Sequence, residues 1–88
     1  MEPVEWKQHK DAGNDAYRKG DFEGAIRGYS EALQCDMPDS DRATVLSNRA
    51  QCHLRREQYD NAIEDCTACL TLDPENVKAM FRRCVFCG

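Results

Sequence analysis

No stretch of this 88-residue chain holds the roughly 20 consecutive apolar residues that a membrane-spanning helix needs. The opening from Met1 to Glu5 also lacks the basic-then-apolar order of an export signal. These absences exclude a membrane protein and make a reducing, cytoplasmic setting the expectation. Histidine is scarce: His9 and His53 are the only two, neither sits in a recognisable motif, and without a positioned base no nucleophile is set up for catalysis. An enzyme is therefore not expected in this segment, although a catalytic domain in a longer parent chain would be compatible with it. No strand pattern is present, so no glycine-rich phosphate loop follows one, and no cofactor is expected. Positive charge is short as well. Twelve Lys and Arg stand against sixteen Asp and Glu, a net charge of −4, which argues against nucleic acid as a partner.

What remains is the balance of a globular chain, with 41% hydrophobic and 32% charged residues. Six cysteines in 88 residues fall just short of a disulfide scaffold, and without an export signal they read as thiols. A chain this short buries only about 60 to 65% of its unfolded surface, so internal repetition is the first stabilising device to look for. Sliding the sequence by 37 positions sets Phe22-Glu23-Gly24-Ala25-Ile26 on Tyr59-Asp60-Asn61-Ala62-Ile63. The match continues with Ser30 on Thr67, Ala32 on Cys69, Leu33 on Leu70 and Asp36 on Asp73. Within each unit the apolar residues follow helical steps of three and four, Phe22, Ile26, Tyr29, Leu33 and then Tyr59, Ile63, Cys66, Leu70. Gly20-Asp21 offers a glycine stop followed by an N-cap, and Asp73-Pro74-Glu75 an N-cap before a first-turn proline. The pattern predicts an all-α chain with helices near 5–19, 22–35, 42–56, 59–72 and 75–86.

Helix pairs of about 34 residues, with Gly13 and Ala50 in the first helix of each pair and Ala25, Ala32 and Ala62 in the second, resemble tetratricopeptide repeats. The resemblance implies a helix-pair solenoid with repeat one over 6–39, repeat two over 43–76 and the first helix of a third over 77–88. Ser40, Asp41 and Arg42 read as an insertion that lengthens the period. Three departures stand out: His9 in the usual aromatic slot, Met37 in place of the closing proline, and Gly28 inside a helix at a cost of roughly 1 kcal/mol against alanine. A third repeat stopping at Gly88 implies a fragment or short isoform in which Met80, Phe81, Val85 and Phe86 lack part of their covering surface. Self-association through that uncovered helix is the expectation.

Charge is divided between the helices. Residues 5–19, 43–56 and 76–87 carry ten Lys and Arg against Glu5, Asp11 and Asp15, a net +7, while the rest carries two against thirteen acids, a net −11. In a stack of helix pairs the first helices line the concave face, so the division implies a basic groove in an acidic body that would gather acidic ligands. Lys10 and Asn14 share a face of the first helix, as Lys78 and Arg82 share one of the fifth. Two like charges at that spacing cost an isolated helix a few tenths of a kcal/mol, which an anionic ligand would relieve.

Lys10-Asp-Ala-Gly-Asn14, Ser47-Asn48-Arg49-Ala50 and Lys78-Ala-Met-Phe-Arg82 resemble the dicarboxylate clamp of co-chaperone repeat domains. That resemblance implies an adaptor for the C-terminal Glu-Glu-Val-Asp tail of the 90-kDa or 70-kDa heat-shock chaperones. A C-terminal aspartate presents two carboxylates, and ammonium, guanidinium and amide donors held on separate helices suit both. By the same resemblance Lys10, Asn14 and Asn48 would hold the main-chain carboxylate, Lys78 the side-chain carboxylate and Arg82 an upstream acid or carbonyl.

The competing chemistry is a zinc or redox site. Cys66-x-x-Cys69 and Cys84-x-x-Cys87 are separated by fourteen residues, at the edge of the spacing for a four-thiolate site. The bland alternative is that Cys66, Cys69 and Cys84 fill slots for small packing residues, as do Cys35 and Cys52. Gly24-x-x-x-Gly28 reads as a close helix contact in a soluble protein.

Overall fold

Two turns of the same construction divide the first four helices. At the end of the first, Gly20 adopts φ 83°, its N–H donates to Tyr17 O at 3.0 Å, and Asp21 N–H reaches back to Ala16 O at 2.8 Å. This is a Schellman closure, in which a left-handed residue turns the chain and satisfies the last carbonyls. Asp21 then caps the next helix, its Oδ1 accepting from Gly24 N–H at 3.0 Å. Further along, Glu57 takes φ 61°, with Glu57 N–H on Leu54 O at 3.0 Å and Gln58 N–H on His53 O at 2.8 Å. Each of these positions is the first turn shifted by the repeat.

The structure, a computed structural model, describes residues 5–76, and over them it contains four helices and no strand: α1 (Glu5–Arg18), α2 (Phe22–Leu33), α3 (Asp39–Arg55) and α4 (Tyr59–Leu72). Helix α1 packs on α2, α2 on α3, and α3 on α4, the order of a stack of helix hairpins. The expected bounds of α4 hold, and those of α1 and α2 differ by one and two residues at the C-terminal ends.

Helix α3 begins three residues before the expected 42, so Ser40, Asp41 and Arg42 are helical and add a first turn. Asp39 and Asp41 in that turn complement the positive end of the helix dipole. Arg42 reaches across to α2, donating to Leu33 O and Cys35 O at 2.9 Å each, where the end of α2 would otherwise present open carbonyls. The inserted turn thus closes the preceding helix. Residues 74 and 75, expected to open the fifth helix, form a turn in which Asn76 N–H donates to Asp73 O at 3.1 Å. The rest of that helix, and with it the whole of the third repeat, lies outside the described residues.

Two apolar clusters form the core. Trp6, Ala25, Tyr29 and Ala32 pack with Val45 and Cys52 between the first hairpin and α3. Ala43, Leu46 and Ala50 pack with Cys66 and Cys69 inside the second hairpin. Gly28 is explained by the first of these contacts. A methyl there would stand 2.8 Å from Gly13 N and 3.0 Å from His9 O, both backbone atoms of α1, so glycine permits the approach of the two helices. The close contact expected of Gly24 is instead with its own cap, Asp21 Oδ2. Tyr59 departs from its apolar row and is 45% exposed.

Candidate functional site

Between α1 and α3 the structure places two polar side chains at one phenol. Tyr29, on α2 and 1% exposed, donates its hydroxyl proton to Asn14 Oδ1 on α1 at 2.5 Å. The side-chain amide of Asn48, on α3, faces the same phenol and favours its charged form. Burial is the first cause that pushes the Tyr29 phenol up to about 12, with Cys52 and Tyr17 adding to it, while Asn48 and Arg18 act the other way. The hydroxyl is therefore a neutral donor at any physiological pH. Gly13 makes the geometry accessible, since a methyl there would lie 2.7 Å from Tyr29 Cδ1.

One turn before Asn14, the ammonium of Lys10 lies 5.3 Å from the centre of the Trp6 ring, and Lys7 lies 5.6 Å from the same centre. Trp6 is 6% exposed, so a fixed aromatic surface holds the Lys10 charge near α1. Of the five clamp positions read from the sequence, Lys10, Asn14 and Asn48 fall on α1 and α3, with both amides meeting at Tyr29. Lys78 and Arg82 lie outside the described residues.

The sequence reading missed Tyr29 as more than a core residue. Its signal was available: a buried Tyr in a row where Phe would pack equally well needs a partner for its hydroxyl. Two further readings need correction. Arg49, counted toward the basic groove, is turned instead into the second hairpin, where Nε and Nη2 bind Asp65 at 2.7 Å each and Nη1 binds Ser30 Oγ at 2.9 Å. Asp65, counted with the acidic body around the groove, is 5% exposed, and His53 Nε2 approaches it at 3.4 Å. His53 Nδ1 lies 2.8 Å from Gln58 Oε1, and His9 Nδ1 lies 3.1 Å from Glu31. The two histidines are thus engaged in structural contacts.

Metal chemistry finds little to work with. Cys66 and Cys69 are buried among Ala43, Leu46 and Ala50, where a thiol packs as a small apolar group. Cys84 and Cys87 lie outside the described residues, and among the described residues no group of three His, Cys, Asp or Glu could hold a metal ion. No described helix is long and apolar enough to cross a membrane. A cavity of about 640 Å³ opens between α2, α3 and α4, bordered by Leu33, Arg42, Leu46, Arg49 and Leu72, and does not include Lys10, Asn14 or Asn48.

Comparison with known proteins agrees with this architecture. The tetratricopeptide repeat model matches residues 43–76. The mitochondrial import receptor subunit TOM34 of Homo sapiens is 46% identical over 69 residues, covering 78% of this chain and 21% of that protein. The sperm-associated antigen 1 of Rattus norvegicus is 38% identical over 76 residues, 86% of this chain and 8% of that protein. The chain therefore spans about a fifth or less of the length of these curated relatives. Among solved structures, the second repeat domain of Spaghetti (RPAP3), bound to the HSP90 peptide SRMEEVD, superposes with a TM-score of 0.80 at 33% identity, over 89% of this chain and 69% of that one. With its two Schellman-closed hairpins set 37 positions apart and these matches on both sequence and fold, the chain belongs to the tetratricopeptide repeat family.

Proposed function

We propose that this chain is a non-catalytic, cytoplasmic adaptor that binds the acidic C-terminal tail of the 90-kDa or 70-kDa heat-shock chaperones. The observation that carries the reading is the meeting of Asn14 and Asn48, from two different helices, at one buried hydroxyl, with Lys10 a turn away on Trp6. Amide and ammonium donors gathered on separate rigid helices suit a carboxylate, which accepts several hydrogen bonds at once. The RPAP3 domain solved with an HSP90 peptide ending in Glu-Glu-Val-Asp supports the same ligand class. In this reading Lys10, Asn14 and Asn48 hold the terminal main-chain carboxylate. Lys78 and Arg82, assigned by the sequence pattern to the first helix of a third repeat, serve in this reading the side-chain carboxylate and an upstream acceptor.

The test is a titration of peptides ending in Met-Glu-Glu-Val-Asp and Ile-Glu-Glu-Val-Asp, each as free acid and as C-terminal amide. Amidation removes a charge and leaves the donors facing a poor acceptor, a loss of about 2 to 5 kcal/mol by analogy with broken charged pairs at interfaces. Lys10→Ala should weaken the free acid while helix content stays the same, because the contact it loses with the Trp6 ring is worth only about 0.5 to 1 kcal/mol. Added salt should weaken binding too, since charges in an open groove are screened beyond about 8 Å at physiological ionic strength. Equal affinity for acid and amide would refute the clamp.

A further inference from the structure

A side-chain amide has no intrinsic preference for which of its two ends faces a ligand. An Asn that shows its Nδ2 to a carboxylate donates to it, whereas one that shows its Oδ1 repels it. Something has to set that choice at Asn14 and Asn48, and neither residue can set it alone.

We infer that Tyr29 is the positioning residue of the carboxylate site: its hydroxyl, accepting from Asn48 and donating to Asn14, locks both amides with donors available to the ligand. The inference rests on the clamp reading given above. A hydroxyl has one proton, and the structure commits it to Asn14 Oδ1 at 2.5 Å. The phenol oxygen then has only lone pairs left for Asn48, which must approach with Nδ2–H. Hydrogen bonds therefore run one way, from Asn48 to Tyr29 to Asn14, and each fixes the next. The Asn14 carbonyl is held down on the phenol, so its Nδ2 points away from it. One Nδ2 hydrogen of Asn48 is used at the phenol and the second is directed elsewhere.

The ring that carries the hydroxyl is rigid. Tyr29 is 1% exposed, packs beneath α1 at Gly13, and belongs to the core shared by the first hairpin and α3. It also comes from α2, a second helix of its pair, so it reaches the α1 and α3 side chains from behind and need not touch the ligand. The phenol, pushed up to about 12 by burial, keeps its proton across the range in which a chaperone tail would bind. Preorganising two donors in this way removes an ordering cost that the ligand would otherwise have to meet.

Tyr29→Phe tests this, because phenylalanine keeps the ring and its packing and removes only the hydroxyl. The variant should bind the free-acid peptide about tenfold more weakly, as expected for a charged hydrogen bond lost to misorientation, and should discriminate less between acid and amide. In the parent chain, nuclear magnetic resonance should show the Asn14 and Asn48 side-chain amides as dispersed signals with Overhauser contacts to the Tyr29 ring. In the variant those signals should collapse toward solvent-averaged positions, a change that a purely packing role would not produce. A parent chain that prefers acid over amide, paired with a variant of unchanged affinity and unchanged amide signals, would overturn the inference and leave the clamp standing. A parent chain indifferent to amidation would instead remove the clamp itself. Should Tyr29→Phe fail to fold, the parent spectrum decides alone: absence of contacts between the Tyr29 ring and both amides would overturn the inference.

Discussion

Removing the Asp65 carboxylate should lower folding stability by about 3 kcal/mol. Both its oxygens are taken by the Arg49 guanidinium at 2.7 Å, and the two side chains are 7% and 23% exposed. Breaking a buried pair from one side costs about 3 to 5 kcal/mol, because a desolvated charge is left without its partner. In Asp65→Ala, Arg49 keeps Ser30 Oγ at 2.9 Å and some contact with water, which places the loss at the lower end. His53 also loses the carboxylate that stands 3.4 Å from Nε2. A domain of this size has roughly 4 to 13 kcal/mol of stability in total, and each kcal/mol moves the melting point by about 4 to 8 °C. Asp65→Ala should therefore melt roughly 12 to 24 °C lower, read by circular dichroism at neutral pH and cross-checked by urea unfolding. The double substitution Arg49→Met with Asp65→Leu leaves no orphaned charge and should recover most of the loss. Asp65→Ala within about 0.5 kcal/mol of the parent would refute the pair's role, and so would a double variant as unstable as the sum of the singles.

Glu57→Gly should raise stability by up to about 1 kcal/mol, because Glu57 holds φ 61° at the position where the first turn uses Gly20 at 83°; a destabilised variant in urea unfolding would contradict this. For Tyr29, a proton is lost near pH 10 in the unfolded chain but near 12 in the folded one. Between those values the unfolded chain binds fewer protons, so its population grows as pH rises and stability falls through the window by up to about 3 kcal/mol. The difference in stability between the parent chain and Tyr29→Phe, measured from pH 9 to 12, should change by that amount, and a flat difference would contradict the assignment.

The repeat, the number of helices among residues 5–76 and the turn at Gly20 were legible because each rests on local spacing, whereas the matching turn at Glu57 carries neither a glycine nor a capping side chain. Apolar steps of three and four mark a helix wherever it sits, and a stop followed by a cap marks its end. The start of α3 was misplaced for a related reason. Asp39, Ser40 and Asp41 carry no apolar periodicity, and the turn they add is anchored through Arg42, which donates to Leu33 O and Cys35 O at the end of the preceding helix. Lys10, Asn14 and Asn48 could be chosen from spacing and resemblance. The phenol that joins two of them could not, since the bond from Tyr29 to Asn14 spans 15 positions and depends on how two helices cross.

The crossing itself was partly written in the repeat. Shifting by 37 positions sets Gly28 on Asp65, Gly13 on Ala50 and Ala12 on Arg49. In the first hairpin the seam is closed by contact: Gly28 lies so near Gly13 N and His9 O that no methyl fits. In the second, the same inward position holds an acid, which cannot remain buried without a counter-charge. That charge had to come from the facing helix, and Arg49 stands where the first hairpin has only Ala12. Two solutions to one packing position follow from the same backbone. One hairpin brings its helices together on glycine. The other bridges them with an ion pair that also fastens Ser30 of the preceding repeat, and so couples the second hairpin to the first.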